Sequence, residues 1–374
     1  MVSILVGKGG NIMLFIQKFI KENPNNWKEL LAAAPYNLKI VEWKGQDLFG
    51  FHYRMGISDF SEEIVQEARG LILDKNANIV AYPFKKFFNS EESLAAEIDW
   101  NSAFSTLKID GSLIIVFYYN GWQVATSSGR NASEAPLSNS FTFHNFRELF
   151  DAATTYSNFD FDKLDPRYTY CFELVSKYNK VVIDYNIPQL YHIFSRNNLT
   201  LEEEIIDIGV GKPRRFDFNS KKDYQELIKR MEGDDSIEGI VVQDKYFNRV
   251  KMKTQSYVRR HYLRNNDCWT KKTIIETILR GEAEEVLSYY PEYRETFVEI
   301  EMDMANLGLR YCFLCYLVRK KFKTKKELAM KISGEDRITQ SFYFKAYDGV
   351  SWQELKSKWK VKDWLNYLTI LEDE

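Results

Sequence analysis

The segment Lys108-Ile109-Asp110-Gly111-Ser112 places a lysine two residues before an Asp-Gly turn. The apolar run from Leu113 to Phe117 follows directly, so the lysine is predicted to stand at the edge of a strand. There its amine could act as a covalent nucleophile toward a phosphate, provided that its surroundings keep it unprotonated. The pattern alone is weak support, because many exposed turns match it by chance.

A lysine that attacks a nucleoside triphosphate needs particular partners. Cations must offset the charge of the phosphates and of the leaving pyrophosphate, and Mg²⁺ usually shares that task. Carboxylates must fix ribose hydroxyls and metal-bound waters. The rest of the chain offers these groups in order, namely Arg69, Lys85 and Lys86 beside aromatic residues, then Glu173, Glu238, Lys251 and Lys253.

Each of these residues also has an ordinary explanation. Glu173 could be an outward-facing strand carboxylate, and Glu238 could belong to a simple turn into a strand. Lys251 and Lys253 fall on one face of a predicted strand, with Met252 opposite, as they would on a solvated edge strand. Together these explanations would require several unrelated coincidences in a meaningful order, which favours one site.

The elements that must position these residues follow from the hydrophobic pattern. Residues 13–35 have the periodicity of an amphipathic helix, and Asn120-Gly121 between two apolar runs predicts a hairpin. Further strands are predicted at 71–73, 79–82, 168–174, 181–183, 191–194, 240–242 and 250–253. Helices are predicted near 141–153 and 220–231, and then at 270–280, 282–290, 293–321, 324–333 and 352–371.

This order predicts an α+β fold class, with antiparallel sheets and flanking helices followed by an all-α region. We assign residues 13–256 to an α+β domain and residues 257–374 to a helical domain. Residues 1–12 are expected to form a flexible leader, since their glycines lack the spacing and the closing Lys-Ser/Thr of a P-loop.

The composition of the chain limits the ligands that it can bind and the compartment in which we expect it. The formal net charge is -2, so any site for a polyanion must come from local clustering. No run is long and apolar enough to span a membrane, and the N-terminus lacks a signal-peptide pattern, so we expect a cytoplasmic protein. Cys312 and Cys315 have metal-ligand spacing, but they lie in an apolar, helix-like run, which favours buried thiols over zinc.

The ordered segments resemble a known set of motifs. Lys108 to Gly111, Phe172-Glu173-Leu174, Glu238-Gly239 and Lys251-Met252-Lys253 are similar to nucleotidyltransferase motifs I, III, IV and V of the covalent ligase and capping-enzyme superfamily. More narrowly, three further segments resemble the T-even phage RNA ligase 1 family: Glu67 to Leu71, Pro83 to Glu91, and Ser256-Tyr257-Val258. The resemblance covers about residues 60 to 260, and as a set these motifs are highly specific.

The resemblance implies an ATP-dependent RNA ligase in RNA repair. Lys108 would attack the α-phosphorus of ATP and form lysyl-AMP, AMP would pass to an RNA 5′-phosphate, and the 3′-hydroxyl would expel it. The implied nucleotide-binding residues are Arg69, Lys86, Asp110, Gly111, Glu173, Glu238, Lys251 and Lys253. Glu173 and Glu238 would hold Mg²⁺, or Mn²⁺ in its place, through water.

The resemblance also implies the partners. RNA with 5′-phosphate and 3′-hydroxyl ends is the expected partner, with nicked tRNA as the family-based guess and no obligate protein partner. Arg259, Arg260 and Arg264 follow motif V and are candidates for RNA phosphate contacts. If the chain is phage-encoded, as the resemblance suggests, the cytoplasm would be that of the host cell.

Some positions depart from the family pattern or stay open. The family often places a basic residue before a glycine after the hairpin, whereas here Arg130 follows Gly129. Ile193 and Phe194 are both candidates for stacking on the base. Glu284 could correspond to a metal-associated carboxylate, although a solvated helical glutamate is the simpler interpretation.

Three rival functions compete with this interpretation. A nick-sealing DNA ligase and a capping enzyme share the lysine chemistry, but each normally carries a β-barrel domain after motif V, where this chain has a helical pattern. A non-catalytic nucleic-acid-binding module is the rival from a different class. It would give no reason for Lys108 to be accompanied by Glu173, Glu238 and the paired lysines.

Overall fold

A computed structural model describes residues 5–6, 12–137, 140–218, 220–263 and 269–372. The chain divides into two compact units, Met1–Arg264 and Asn265–Glu374. Within the described residues all strands belong to the first unit. They are β1 (Leu5–Val6), β2 (Ile12–Met13), β3 (Lys39–Glu42), β4 (Leu48–His52), β5 (Arg69–Asp74), β6 (Ile79–Ala81), β7 (Phe88–Asn89), β8 (Phe104–Leu107), β9 (Ser112–Tyr118), β10 (Trp122–Thr126), β11 (Tyr168–Val175), β12 (Gln189–Asn197), β13 (Glu203–Glu204), β14 (Arg215–Phe216), β15 (Gly239–Gln243) and β16 (Arg249–Lys253).

Helices occur in both units. Those of the first unit are α1 (Phe15–Glu22), α2 (Trp27–Ala32), α3 (Glu63–Glu67), α4 (Phe146–Tyr156), α5 (Lys221–Met231) and α6 (Gln255–Leu263). Those of the second unit are α7 (Lys271–Arg280), α8 (Ala283–Tyr289), α9 (Arg294–Lys321), α10 (Lys325–Lys331), α11 (Arg337–Asp348), α12 (Trp352–Ser357) and α13 (Val361–Glu372). Helix α6 falls in the first unit, whereas the helical domain was predicted to begin at residue 257.

Three larger sheets form the first unit. One has the order β3-β4-β5-β6, the second has the order β10-β9-β11-β12-β13, and the third has the order β14-β8-β15-β16-β7. Their strand pairs are antiparallel except for the parallel pair of β16 and β7. The predicted fold class, antiparallel sheets with flanking helices followed by a helical region, is therefore confirmed.

Burial on both faces explains the continuous apolar sequence of β9. Leu113, Ile115 and Phe117 pack against the four-stranded sheet. Ile114 and Val116 point to the other face, where they join the core under α4. A strand covered on both faces reads as an unbroken apolar run, and it forms a rigid support for the lysine turn that precedes it.

The hairpin prediction is confirmed. Strands β9 and β10 pair antiparallel, with Tyr118 opposite Trp122. Asn120 and Gly121 between them have φ angles of 54° and 120°. Positive φ at both positions is the conformation that Asn-Gly turns provide at low cost.

Four secondary-structure predictions were wrong, one of them being the helix predicted over 352–371, which is divided into α12 and α13. The helix predicted over 13–35 is divided into α1 and α2, because Pro24 cannot continue a helix. The strand predicted over 181–183 does not form, since the N–H groups of Val182 and Ile183 donate to the side chain of Asp110 instead of to a sheet. Helix α11 was missed because its aromatic and β-branched residues favour helix weakly, although Asp336 caps it.

The N-terminus and the cysteines also differ from expectation. In the predicted leader β1 pairs with β2, while residues 1–4 and 7–11 lie outside the described residues. Cys312 is exposed rather than buried, since the core-facing side of α9 carries Leu307, Tyr311 and Val318. Among the helices of the described ranges, none combines the length and the apolar composition that a membrane span requires.

Candidate active site

Lys108 lies in the turn that joins β8 to β9. Its backbone N–H donates to the carbonyl of Gly239, 2.9 Å away, which ties the turn to β15. Its Nζ donates to Glu238 Oε2 at 2.8 Å, and its side chain is 25% exposed. The amine thus reaches the surface of a cavity, while the buried carboxylate of Glu238 lies beneath it.

Glycine is required in this turn for steric reasons. A Cβ at Gly111 would lie 2.5 Å from the carbonyl oxygen of Leu174 on β11. A Cβ at Gly239 would lie 2.1 Å from the carbonyl oxygen of Met252. These close backbone approaches bring the lysine turn, the strand of Glu173 and the strand of the paired lysines together.

Asp110 anchors the turn through both of its oxygens. Oδ1 accepts a hydrogen bond of 2.8 Å from the hydroxyl of Tyr257 on α6. Oδ2 accepts from the backbone N–H groups of Val182 and Ile183 at 2.9 and 2.7 Å. Burial raises the pKa of Tyr257 far above its usual range, so the phenol remains a neutral donor to this carboxylate.

Glu238 is shared by two lysines. Its side chain is 2% exposed; Oε2 accepts from Lys108, and Oε1 lies 3.3 Å from Lys253 Nζ. Lys253 and Lys251 are buried and lie on one face of β16, as the alternation in the sequence predicted. Two amines therefore pair with one buried carboxylate, and Lys251 adds a third positive charge on the same strand face, an arrangement that suits an anionic ligand.

Glu173 is a partly buried carboxyl on β11 that lines the same cavity. Burial raises its pKa to about 7, with a further increase from the charge of Glu238. Lys108 and Arg69 lower that pKa but do not restore its ordinary value. A carboxyl that titrates near neutrality in a cleft is characteristic of functional sites.

Two further cations are held against aromatic rings. The guanidinium of Arg69 lies 4.9 Å from the ring centroid of Phe84 and 5.4 Å from that of Phe87. Lys86 Nζ lies 5.3 Å from the ring centroids of both Phe60 and Phe88. Cation–π contacts of this kind help to hold the two charged groups in place.

A cavity of about 920 Å³ connects these groups. It is lined by seven of the predicted residues, Arg69, Lys86, Lys108, Gly111, Glu173, Lys251 and Lys253. Asp110 and Glu238 lie directly behind it, bonded to the turn and to its lysines. Along the described part of the wall ten basic side chains face four acidic ones, so the cavity favours a polyanion such as a triphosphate.

Of the predicted RNA-binding arginines, Arg259 and Arg260 do not line this cavity. Arg259 is exposed on α6, and Arg260 donates to the carbonyl of Asp235 at 2.9 Å. Arg264 lies outside the described residues. Glu284 is 61% exposed and lies 3.7 Å from Arg294, which favours the simpler interpretation of a solvated glutamate.

Arg130, Ile193 and Phe194, which the sequence left open, all line the cavity. Arg130 reaches it from the loop after β10. Phe194 is buried, with the guanidinium of Arg249 4.9 Å from its ring centroid and the ring of Phe84 at 5.4 Å. Ile193 is partly exposed and lies at a register shift between β11 and β12, so it is the less covered of the two candidates for base stacking.

Sequence reasoning missed a buried cluster of Arg196, Glu203 and Arg249, called here the arginine–glutamate cluster, of which Glu203 and Arg249 line the cavity. Glu203 accepts from both arginines, and Arg249 Nη1 lies 2.9 Å from its Oε1. Arg249 could have been found by extending the alternation of Lys251 and Lys253 backwards by two residues. Glu203 could not, because it stands in a run of three glutamates that carries no distinguishing signal.

The carboxylates of the site can be compared with the ligands that Mg²⁺ prefers. No cluster of three or more potential metal-ligating side chains occurs in the described part of the chain. Mg²⁺, however, commonly keeps several waters and uses one or two carboxylates together with substrate phosphates. Glu173 on the cavity wall fits that mode, while the oxygens of Glu238 already accept from lysines.

Comparisons with known proteins agree with the motif pattern. Residues 67–257 match the sequence pattern of the RNA ligase family. The chain is 28% identical over 279 residues to a protein of Autographa californica nuclear polyhedrosis virus named as a bifunctional polynucleotide kinase/RNA ligase, covering 69% of this chain and 40% of that one. It is 28% identical over 206 residues to an RNA ligase of Rhodothermus phage RM378, covering 46% of each. The chain thus spans less than half the length of these relatives.

Solved structures give a more distant likeness. An archaeal ATP-dependent RNA ligase has a TM-score of 0.45 and 13% identity, covering 80% of this chain and 83% of that one. A Naegleria gruberi RNA ligase variant determined with ATP and Mn has a TM-score of 0.28 and 12% identity, covering 44% and 52%. The family match, by contrast, spans half of the chain and includes the lysine turn, both glutamates and the paired lysines, and it shows that this chain belongs to the RNA ligase family.

Proposed function

We propose that this chain is an ATP-dependent RNA ligase that joins 5′-phosphate and 3′-hydroxyl ends through lysyl-AMP and RNA-adenylate. The observation that carries the proposal is the amine of Lys108, bonded at 2.8 Å to buried Glu238 at the edge of a basic cavity. Membership of the RNA ligase family supports the same reaction.

The first step follows from the geometry around Lys108. Its Nζ lone pair would attack the α-phosphorus, an N–P bond would form, and the bond to pyrophosphate would break. The amine must lose a proton, and Glu238 Oε2 is an acceptor already within hydrogen-bond reach. Glu238 is therefore the proposed base, or the group that orients the amine.

The basic side chains of the cavity would bind the phosphates of ATP. Lys251 and Lys253, on the strand face beside Glu238, would hold the α-phosphate, and Lys253 would also assist the departure of pyrophosphate. Arg69 and Lys86 would contact the triphosphate from the aromatic side of the cavity, Lys86 nearer the outer phosphates. Asp110 and Gly111 would act by holding the turn in shape.

The remaining residues of the cavity would bind the metal ion, the ribose and the adenine base. When bound, Mg²⁺ or Mn²⁺ would offset charge on the phosphates, held through water by Glu173 and more distantly by Glu238. Glu173 would also fix the ribose. Ile193 is the proposed partner for adenine, because the ring of Phe194 is already covered by Arg249 and Phe84.

After AMP passes to the RNA 5′-phosphate, attack of the 3′-hydroxyl on that phosphate would expel AMP and seal the strand. We place the adenylylation steps in residues 13–256 and RNA recognition in residues 257–374, with Arg259, Arg260 and Arg264 nearest the boundary. Nicked tRNA in the cytoplasm of an infected cell is the proposed substrate.

The first test is transfer of label from α-³²P-labelled ATP to the protein with Mg²⁺ or Mn²⁺. We expect an acid-labile, alkali-stable adduct on the wild-type chain and on Lys177→Ala, an exposed lysine outside the cavity. Lys108→Ala should keep its fold and carry no label. An unlabelled wild-type chain would favour a non-catalytic binding module, and labelling by GTP in place of ATP would favour a capping-type enzyme.

The second test is sealing of 5′-phosphorylated single-stranded RNA against a nicked duplex in the presence of ATP. Joining of the single-stranded ends supports the proposal. Sealing of the nicked duplex alone would point to the nick-sealing branch of the superfamily.

A further inference from the structure

The outward face of α9 carries large apolar side chains that the second unit does not bury. Leu309, Phe313 and Tyr316 are 70%, 62% and 59% exposed. With Lys320 they are spaced by four, three and four residues, so they lie along one face of the helix. Exposed aromatic rings in such a row indicate a contact surface.

The packing of the unit does not need these rings. The opposite side of α9 supplies Tyr311, whose ring centroid lies 4.7 Å from that of Phe342 and 5.8 Å from that of Trp352. Gly308 lies on the same side, where a Cβ would come within 2.7 Å of Trp352 Nε1. The core is therefore closed without the outward face.

The charge around this face is one-sided. Residues 304–326 contain seven Lys and Arg and no Asp or Glu. Lys320 Nζ lies 3.4 Å from the hydroxyl of Tyr316 and 5.5 Å from its ring centroid. The nearby acidic groups are few: Asp348 pairs with Lys325 at 2.6 Å, and Glu327 accepts from the backbone of Lys323.

We propose that this face of α9 binds single-stranded RNA, an inference that rests on the proposed function and specifies where its substrate strand lies. Phe313 and Tyr316 would stack on unpaired bases, while Lys320 and its basic neighbours contact the phosphates. A single strand presents planar apolar faces and negative charge together, which matches both properties of the surface. A second copy of the chain would bring two basic surfaces together and is disfavoured by charge.

The test compares the wild-type chain with the double variant Phe313→Gln, Tyr316→Gln. Glutamine keeps helix propensity and removes the rings, and Met330→Gln is the control, since Met330 is 63% exposed on α10. The probes are fluorescent oligoadenylate of about 16 nucleotides and an abasic strand of the same length. We expect the double variant to bind oligoadenylate about tenfold or more weakly and the abasic strand unchanged.

Other outcomes would overturn the proposal. Unchanged affinity of the double variant for oligoadenylate would do so, as would equal loss for both strands. A dimer of the wild-type chain that the variant loses, with RNA affinity unchanged, would assign the face to a second copy. Formation of lysyl-AMP is measured in parallel and should be equal in both proteins, so failure of the ligase assignment can be told apart from failure of this surface.

Discussion

At the scale of single residues, the sharing of Glu238 between two amines is the central feature. Its oxygens serve Lys108 and Lys253 separately, and its burial excludes water as a competing partner. Because no other described carboxylate is bonded to Lys108, loss of this charge cannot be compensated locally. The chemistry of the amine should therefore depend on this one side chain.

We expect Glu238→Gln to slow lysyl-AMP formation by about 10² to 10⁴, the range typical of a lost general base. The amide keeps the size of the side chain but cannot accept the proton of the amine. Single-turnover labelling with ATP measures the rate, and thermal unfolding checks the fold. A rate equal to that of Glu134→Gln, an exposed carboxylate, would show that Glu238 neither acts as the base nor orients the amine.

The raised pKa of Glu173 predicts a pH dependence. In the folded chain this carboxyl titrates near 7 instead of 4.5, so between these values the unfolded chain is ionised and the folded chain is protonated. Its contribution to the free energy of unfolding therefore decreases as pH rises toward about 7 and is lost above it. Contact with ribose or with a metal-bound water requires the ionised form.

The ATP concentration that gives half-maximal labelling should accordingly fall as pH rises through about 7. Glu173→Gln should weaken ATP binding and remove this step. A wild-type pH profile that the variant retains would assign the titration to another group. Glu67 also has a pKa raised to about 7 by burial, but its oxygens accept from the N–H groups of Phe15 and Ile16, so its titration should appear in stability.

At the scale of elements, the arginine–glutamate cluster joins two sheets. Arg196 and Glu203 belong to β12 and β13, which lie in the sheet that holds Glu173 on β11. Arg249 belongs to β16, the strand that carries Lys251 and Lys253 in the other sheet. The cluster therefore helps to fix the distance between the strand of Glu173 and the strand of Lys251 and Lys253.

Glu203→Gln should lower the free energy of unfolding by about 3–5 kcal/mol, since it leaves two buried arginines without their counter-charge. Urea unfolding measures the change. Glu204→Gln on the same strand is exposed and should have little effect. A loss below about 1 kcal/mol for Glu203→Gln would mean that water or another group compensates the arginines.

The elements also show which features can be predicted from the sequence and which cannot. The strands that hold Glu173, Lys251 and Lys253 were predictable, because alternation and turn residues are local signals. The cluster around Glu203 was not, since its ion pairs join residues up to 46 positions apart. The strand predicted at 181–183 failed for the same reason: Asp110, 72 positions earlier, takes its N–H groups.

At the scale of the whole molecule, charge is balanced overall and uneven locally. The net charge is -2, yet the cavity wall and residues 304–326 are both basic. RNA binding should therefore depend on local phosphate contacts that release counterions. Adenylylation would take place within a cavity and should depend less on the salt concentration.

Raising NaCl fourfold should weaken RNA binding by about tenfold to twentyfold if roughly three phosphates of a single strand are neutralised. Labelling by ATP should change much less over the same range. Fluorescence anisotropy and the labelling assay measure the two quantities in the same buffers. Equal sensitivity of both would contradict a separate RNA surface and place the strand within the cavity alone.

The carboxylate beneath Lys108 has a consequence for successive turns of the cycle. In the proposed cycle, Lys108 would lose its positive charge once its amine carried AMP, and Lys253 would remain as the partner of Glu238. Glu238 would then pair with both lysines in the free protein but with Lys253 alone in the adenylylated protein, so the charge balance of the cavity would depend on whether Lys108 carries AMP. We therefore expect the free protein to bind a new triphosphate and the adenylylated protein to bind it poorly.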